Sequence, residues 1–188
     1  MKLRLDIDGR ACLLLALLCL AVPLNWLGAA FLAALVHEGC HVLGVFLAGG
    51  RIQSVRIGMT GAVMESTPLE PLLELLCILA GPAGSLALIM LSPLLPRTAV
   101  CGMIQGLFNL LPVEHLDGGR ALRCICEILL GQGSAETVCL WVRRLVAVLL
   151  FILLLWAAFW KKMGISAVFP GVFLLWPVMG RKIPCKET

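Results

Sequence analysis

The stretch WLGAAFLAALVHEGCHVLGVFLA, residues 26–48, is an apolar run that carries two imidazoles and one carboxylate. As a helix it would rise about 34 Å, which is enough to cross the hydrocarbon layer of a bilayer. His37 and His41 lie four residues apart and so share one helix face, with Glu38 beside them. Zinc hydrolases use two such histidines and a third ligand to hold the ion, and a nearby carboxylate takes a proton from water. The stretch therefore predicts a hydrolytic metal site at membrane depth.

The composition of the chain also indicates a membrane protein. Hydrophobic residues make up 61% and charged residues 14%, with a mean hydropathy of +1.02, whereas about a quarter of the residues of soluble domains are charged. Six apolar runs are candidate membrane spans: Ala11–Leu24, Trp26–Ala48, Pro71–Leu95, Ala99–Pro112, Trp141–Trp160 and Gly164–Met179. Three of them, the first, fourth and sixth, are shorter than the roughly 20 residues that a straight span needs. The predicted fold class is an all-α membrane protein with about six transmembrane helices.

The distribution of basic residues predicts the topology of these spans. With six spans, one side of the membrane receives 12 of the 15 basic residues, all except Arg97, Lys161 and Lys162. Because cytoplasmic loops are enriched in Lys and Arg, both termini are expected in the cytoplasm. The net charge of +4 is explained by this topology, and no nucleic-acid partner is expected. The nine cysteines contain no CxxC pair, and buried reduced thiols are the expected state.

A short β-hairpin is predicted between the second and third spans, at the membrane interface. Residues Arg51–Met59 alternate polar and apolar side chains, and Thr60-Gly61 offers a turn into Ala62–Glu65. An exposed strand edge beside the metal could hold an extended substrate segment by strand addition. An interfacial loop without a substrate role is an equally weighted interpretation.

A second motif, NLLPVEHLDGG at residues 109–119, closes the fourth apolar run. Pro112 would end or bend the helix, and the paired glycines allow a tight turn, so that an irregular terminus presents Asp117. An ionisable residue at such a place is a candidate functional group. Asp117 is equally suited to cap the following helix, predicted over Gly118–Leu130, and the residues alone leave both interpretations open.

Together, the HExxH pentad and the N-x-x-P-x-x-x-L-D-G motif resemble the site-2 protease family of intramembrane zinc metalloproteases. The resemblance extends over Trp26–Leu130 and is closest to the compact bacterial type, similar to the sporulation sigma-factor processing proteases. It implies one Zn²⁺ per chain, with His37, His41 and Asp117 as ligands and Glu38 as the general base. His115 is a competing third ligand, two residues from Asp117, but the resemblance favours the aspartate.

The resemblance also assigns roles outside the ligand set. Asn109 and Pro112 match motif positions and would lie in the active-site region, where they help to place the substrate. Residues Ala80–Gly84 resemble the Gly-Pro element of the family's third span, with Ser85 following, and close helix packing through small residues is the expected role. Cys40, inside the pentad, could approach the metal, although packing against a neighbouring helix is favoured.

We expect residues 1–188 to form a single membrane-embedded domain with its core at 26–130, and no PDZ-like or nucleotide-sensing domain. The first span is expected to remain uncleaved. The resemblance implies a multi-pass protein, expected in a bacterial cell membrane, acting on a membrane-associated substrate. That substrate could be a tethered transcription factor, an anti-sigma factor or a sigma-factor precursor, and a regulatory membrane partner is possible. The alternative function is a non-catalytic protein that binds or transports a metal through its His-His-Asp cluster, for which Glu38 would not be needed.

Overall fold

The structure, a computed structural model, describes residues 4–7, 19, 22–58, 61–67, 69–113 and 116–160. In these ranges the chain forms a helical body and a small sheet. The α-helices are α1 (Leu24–Leu47), α2 (Pro71–Ala87), α3 (Pro96–Asn109), α4 (Asp117–Leu130) and α5 (Gln132–Trp160). The strands are β1 (Arg4–Ile7), β2 (Ile52–Gly58) and β3 (Gly61–Ser66), and a 3-10 turn, Leu88–Leu91, extends α2.

Prolines and glycines set several helix boundaries. Pro71 and Pro96 stand at the first positions of α2 and α3, where the missing N–H has no partner to lose and the fixed φ suits a helix. Gly131, with a φ of 76°, separates α4 from α5, because a backbone with positive φ cannot continue a helix. After α2 the chain is thereby divided into two helices of 14 residues, α3 and α4, and the longer helix α5.

Among the described residues, two helices are long and apolar enough to cross a membrane. They are Leu24–Leu47, with 24 residues, and Pro71–Leu91, with 21. Large apolar side chains on α1, such as Leu35 and Phe46, are exposed, as expected for a surface that faces lipid.

The other predicted spans agree only in part with the helices that the structure describes. The fourth run folds as α3, which has 14 residues and is too short for a straight span. The fifth run lies within the longer helix α5. The first run lies almost wholly outside the described residues, as does the whole of the sixth, so the count of six stays a prediction.

The sheet contains the predicted hairpin and one strand that was not predicted. Strands β2 and β3 pair antiparallel, with Ile57 opposite Ala62, and β1 pairs parallel with β2, with Arg4 opposite Ser54. The strand order is β1-β2-β3. Parallel pairing joins segments distant in sequence, here separated by the whole of α1, which is why local patterns did not reveal it.

Helices α1, α2 and α3 pack against one another, α4 packs against α2, and α5 packs against α4. Small residues allow close approach at these contacts. A side chain at Gly44 would come within 3.3 Å of Ala80 Cβ, and one at Gly106 within 3.2 Å of the Pro82 carbonyl oxygen. Close backbone packing of this kind is typical of helices in membranes, and it brings polar groups of α1, α2 and α4 together.

Candidate metal centre

Three potential metal ligands converge where α1 meets the start of α4. His37 Nε2 lies 3.0 Å from Asp117 Oδ2, and His41 Nε2 lies 3.2 Å from the same oxygen. The two Nε2 atoms are 3.3 Å apart. These three residues are the group in the described part of the chain that could hold a metal ion.

The spacing of the three atoms fits a tetrahedral zinc site. Bonds of 2.0–2.1 Å at tetrahedral angles place neighbouring ligand atoms about 3.3 Å apart, close to the three separations observed. The donor chemistry agrees, because His41 Nδ1 lies 2.9 Å from the Cys77 carbonyl oxygen and can only donate to it. The Nε2 atom of a neutral His41 then presents a lone pair to the Asp117 carboxylate. Two acceptors at this distance repel each other, and a cation bound between them would replace the repulsion by two attractive contacts.

The electrostatic surroundings favour an ionised Asp117. Its side chain is 11% exposed. Its Oδ2 atom faces the Nε2 atoms of both imidazoles, so an ionised carboxylate either accepts hydrogen bonds from protonated imidazoles or shares a cation with neutral ones. The carboxylate is therefore available as an anionic ligand.

Helix α2 orients both imidazoles through their second ring nitrogens. His37 Nδ1 lies 2.8 Å from the Ser85 hydroxyl oxygen, which is fully buried, and His41 Nδ1 donates to the Cys77 carbonyl. A hydrogen bond at the far nitrogen fixes the tautomer and the ring plane of a metal-binding histidine. Sequence reasoning assigned Ser85 no polar role, because the relative rotation of α1 and α2 is not visible in a linear pattern.

The Gly-Pro element of α2 makes room for the site. A Cβ atom at Gly81 would collide with the His41 imidazole, and one at Gly84 would collide with the Cys40 sulfur. Close packing was the expected role of Ala80–Gly84. The contact of Cys40 with Gly84 agrees with the packing interpretation of this cysteine, and Cys40 is not in the metal-binding group of the described residues.

Three further residues between α3 and α4 were candidates for the site: Asn109, Pro112 and His115. Asn109 reaches the site, with its Nδ2 atom 3.3 Å from His37 Nε2. Pro112 does not line the cavity beside the ligands; it lies in a turn closed by a 2.7 Å hydrogen bond from Val113 N–H to the Leu111 carbonyl. His115, the competing ligand, lies outside the described residues.

The ligands open onto a cavity of about 150 Å³. Glu38, half-buried, lines it together with the three ligands. Further polar residues that line it are Ser66, Glu74, Gln105, Asn109 and Arg120. Gln105 and Arg120 were missed from the sequence, although the helix periodicity contains the signal. Gln105 is four residues before Asn109 and Arg120 is three after Asp117, so each shares a helix face with its partner.

Comparison with known proteins supports a membrane protease. The model of peptidase family M50, a family of integral membrane metalloproteases, matches residues 66–153. This segment contains Asp117 and the Gly-Pro element but begins after the HExxH pentad. With the two apolar helices, the match indicates an integral membrane protein. No curated protein sequence matches the chain significantly.

A solved structure shares the fold. The site-2 protease from Methanocaldococcus jannaschii superposes with a TM-score of 0.66, covering 100% of this chain and 95% of the other at 18% identity. At that identity the likeness concerns the fold alone. The resemblance to the site-2 protease family that the two motifs predict is therefore confirmed, by the family M50 segment and by the shared fold.

Proposed function

We propose that this protein is an intramembrane zinc metalloprotease that hydrolyses a peptide bond in or near a transmembrane segment of a membrane-associated protein. One observation carries the proposal. His37, His41 and Asp117 bring three ligand atoms within 3.0–3.3 Å of one another, and Glu38 lines the same cavity. Two imidazoles, a carboxylate and an additional acid are the parts that a hydrolytic zinc site requires.

The reaction divides between the ligands and Glu38. A zinc ion held by His37, His41 and Asp117 would acidify a water molecule and polarise the scissile carbonyl. Glu38 accepts a proton from that water as its oxygen attacks the carbonyl carbon. When the C–N bond breaks, Glu38 returns the proton to the leaving nitrogen. The Asn109 amide, 3.3 Å from His37 Nε2, is suitably placed to donate a hydrogen bond to the substrate carbonyl oxygen.

Hydrolysis at membrane depth requires access for water. Counted from Gly49, just beyond the end of α1, His41 lies about 12 Å and His37 about 18 Å along the helix axis. Without water, burial of the Glu38 carboxylate would cost on the order of 3 kcal/mol. Glu74 and Arg120 line the cavity and are exposed, which supports a wet route from the side of the membrane where α1 ends and α2 begins.

The hairpin supports binding of an extended substrate segment. A peptide in a membrane helix hides its carbonyls in internal hydrogen bonds, so cleavage needs a locally unwound segment. Strand β3 is at one edge of the sheet among the described strands, and its residues Met64 and Ser66 line the cavity. We propose that β3 adds a substrate strand beside the ligands.

The wider assignment follows from the sequence. We propose a multi-pass protein with six spans, both termini in the cytoplasm and one catalytic domain, located in a bacterial cell membrane. Its substrate would be a tethered transcription factor, an anti-sigma factor or a sigma-factor precursor. Supply of this substrate or a regulatory membrane partner would control the reaction.

The decisive experiment separates metal binding from proton transfer. Glu38→Gln should keep one zinc per chain and lose cleavage of a co-expressed membrane-bound substrate, whereas Asp117→Ala should lose both. Glu70→Gln, an exposed residue before α2, is the matched control and should keep both. Undiminished cleavage by the Glu38→Gln protein would remove the protease assignment. A metal carrier, in contrast, would not need Glu38.

A further inference from the structure

A second cavity, which we call the Arg97 cavity, lies where the N-terminal ends of α1 and α3 meet. It has a volume of about 540 Å³. Its polar lining comprises Asn25, Arg97 and Thr98, and its apolar lining includes Leu32, Leu94 and Leu95. Arg97 and Asn109 are at opposite ends of α3, about 18 Å apart along its axis, so the Arg97 cavity is separate from the metal centre.

Hydrogen-bond donors without acceptors line its polar end. The N-cap residue of α3, Leu95, provides no side-chain cap, and the first backbone bond runs from Ala99 N–H to the Leu95 carbonyl. Among the described residues, the amides of Arg97 and Thr98 have no acceptor. The Thr98 side chain is also unpartnered there, although the residue is only 4% exposed. Because Thr98 lines the cavity, the hydroxyl of this buried residue and two free amides at a helix N-terminus form a binding site for an anion.

The charge of the cavity also favours an anion. Arg97 is the one charged residue in the lining, which contains no Asp or Glu. Its guanidinium lies 6.0 Å from the centre of the Trp26 ring, a contact that directs the side chain while leaving its N–H groups able to bind oxygen. A phosphate, with several acceptor oxygens, suits a guanidinium, two amides and a hydroxyl together.

The position of the cavity indicates which phosphate compound would bind. From Asn25 to Gly49, α1 and its final turn rise about 36 Å, which places Asn25 and Trp26 at one membrane interface when the other end reaches the opposite one. Trp26 is 40% exposed, as is common for tryptophan at headgroup level. The leucines of the lining offer a surface for an acyl chain next to the polar end.

We infer that the Arg97 cavity binds an anionic phospholipid, with its phosphate held by Arg97, Thr98 and the N-terminal amides of α3. The acyl chain lies against Leu32 and Leu94. This inference does not depend on the protease assignment, because none of these residues lines the catalytic cavity.

Native mass spectrometry of the full-length protein, titrated with phosphatidylglycerol in detergent, tests the site. Arg97→Gln and the near-isosteric Thr98→Val should each weaken phosphatidylglycerol binding by about tenfold, the effect of losing one charge-assisted hydrogen bond. The control is Arg144→Gln, since Arg144 lies 5.6 Å from the Trp141 ring but does not line the Arg97 cavity. It removes the same charge and contact type and should leave the affinity unchanged.

Two further arms identify the ligand. Phosphatidylcholine, which carries a phosphate without net charge, should bind more weakly than phosphatidylglycerol, and millimolar inorganic phosphate should not displace the bound lipid. Displacement by inorganic phosphate would assign the site to a free anion and overturn the lipid. Equal weakening by Arg97→Gln and Arg144→Gln, or unchanged binding by Thr98→Val, would overturn the site itself.

Discussion

Replacement of Ser85 by alanine tests how far the orientation of His37 governs metal binding. In the structure the Ser85 hydroxyl is 2.8 Å from His37 Nδ1, and neither residue is more than 3% exposed. Ser85→Ala removes a single oxygen atom and keeps the Cβ atom that packs between α2 and α3. The ligand atom itself, His37 Nε2, is unchanged, so any loss of zinc reports on the hydrogen bond.

The size of the effect follows from the burial of this pair. A buried ring N–H left without an acceptor costs about 1–3 kcal/mol. Loss of a hydrogen bond that orients a metal-binding histidine lowers metal affinity or activity about 10- to 100-fold, which corresponds to about 1.4–2.7 kcal/mol. The two ranges agree, and we expect Ser85→Ala to weaken zinc binding by 10- to 100-fold on this basis.

The assay is competition between the purified protein and a chromogenic zinc chelator, with cleavage of a co-expressed substrate measured in parallel. The matched control is Ser92→Ala, because Ser92 is an exposed serine just beyond α2 and should keep the wild-type affinity. If Ser85→Ala binds zinc as tightly as the wild type, then His37 is oriented by packing alone and the reasoning from the hydrogen bond is wrong.

Three other perturbations have defined outcomes. Gly81→Ala should abolish zinc binding and cleavage, because its Cβ atom meets the His41 imidazole. Gly39→Ala is the control, since a Cβ atom at Gly39 has no neighbour within 4 Å. Equal zinc content in the two variants would contradict this prediction. Gly131→Ala should lower the Tm in detergent, since a φ of 76° costs a residue with a side chain about 1–3 kcal/mol. Gly133→Ala, in open space, is its control, and equal Tm values would refute the strain argument. Removal of metal by a chelator should abolish cleavage and lower the Tm of the wild type, because an ion that binds only the folded state stabilises it; zinc should restore both, and cleavage by verified metal-free protein would exclude a metal mechanism.

Features that depend on local periodicity were predictable from the sequence. The i, i+4 spacing of His37 and His41 requires only that α1 be a helix, and it places both imidazoles on one face. The period of two in residues 51–59, followed by the Thr60-Gly61 turn, similarly predicted the hairpin. The motif at 109–119 predicted that Asp117 follows a break in the helix, and the structure places it at the first residue of α4.

Features that depend on how separate elements meet were not predictable. The Ser85 hydroxyl reaches His37 only because α2 is rotated to present that face to α1, and one sequence contains no signal for this angle. The pairing of β1 with β2 joins residues about 50 positions apart. Gln105 and Arg120 are an intermediate case, because their spacing from Asn109 and Asp117 predicts a shared face but not a shared cavity.

The two hydrogen bonds that orient the imidazoles differ in how they would tolerate evolutionary change. His41 donates to the main-chain carbonyl of Cys77, so any amino acid at that position supplies the same acceptor. The helices are close here, because a Cβ atom added at Gly44 would lie 3.3 Å from Cys77 Cα, and only a small side chain fits at position 77. His37 instead depends on a side chain, so few replacements of Ser85 would serve. Replacement of Cys77 by another small residue should therefore keep the hydrogen bond of His41, whereas most replacements of Ser85 should remove that of His37.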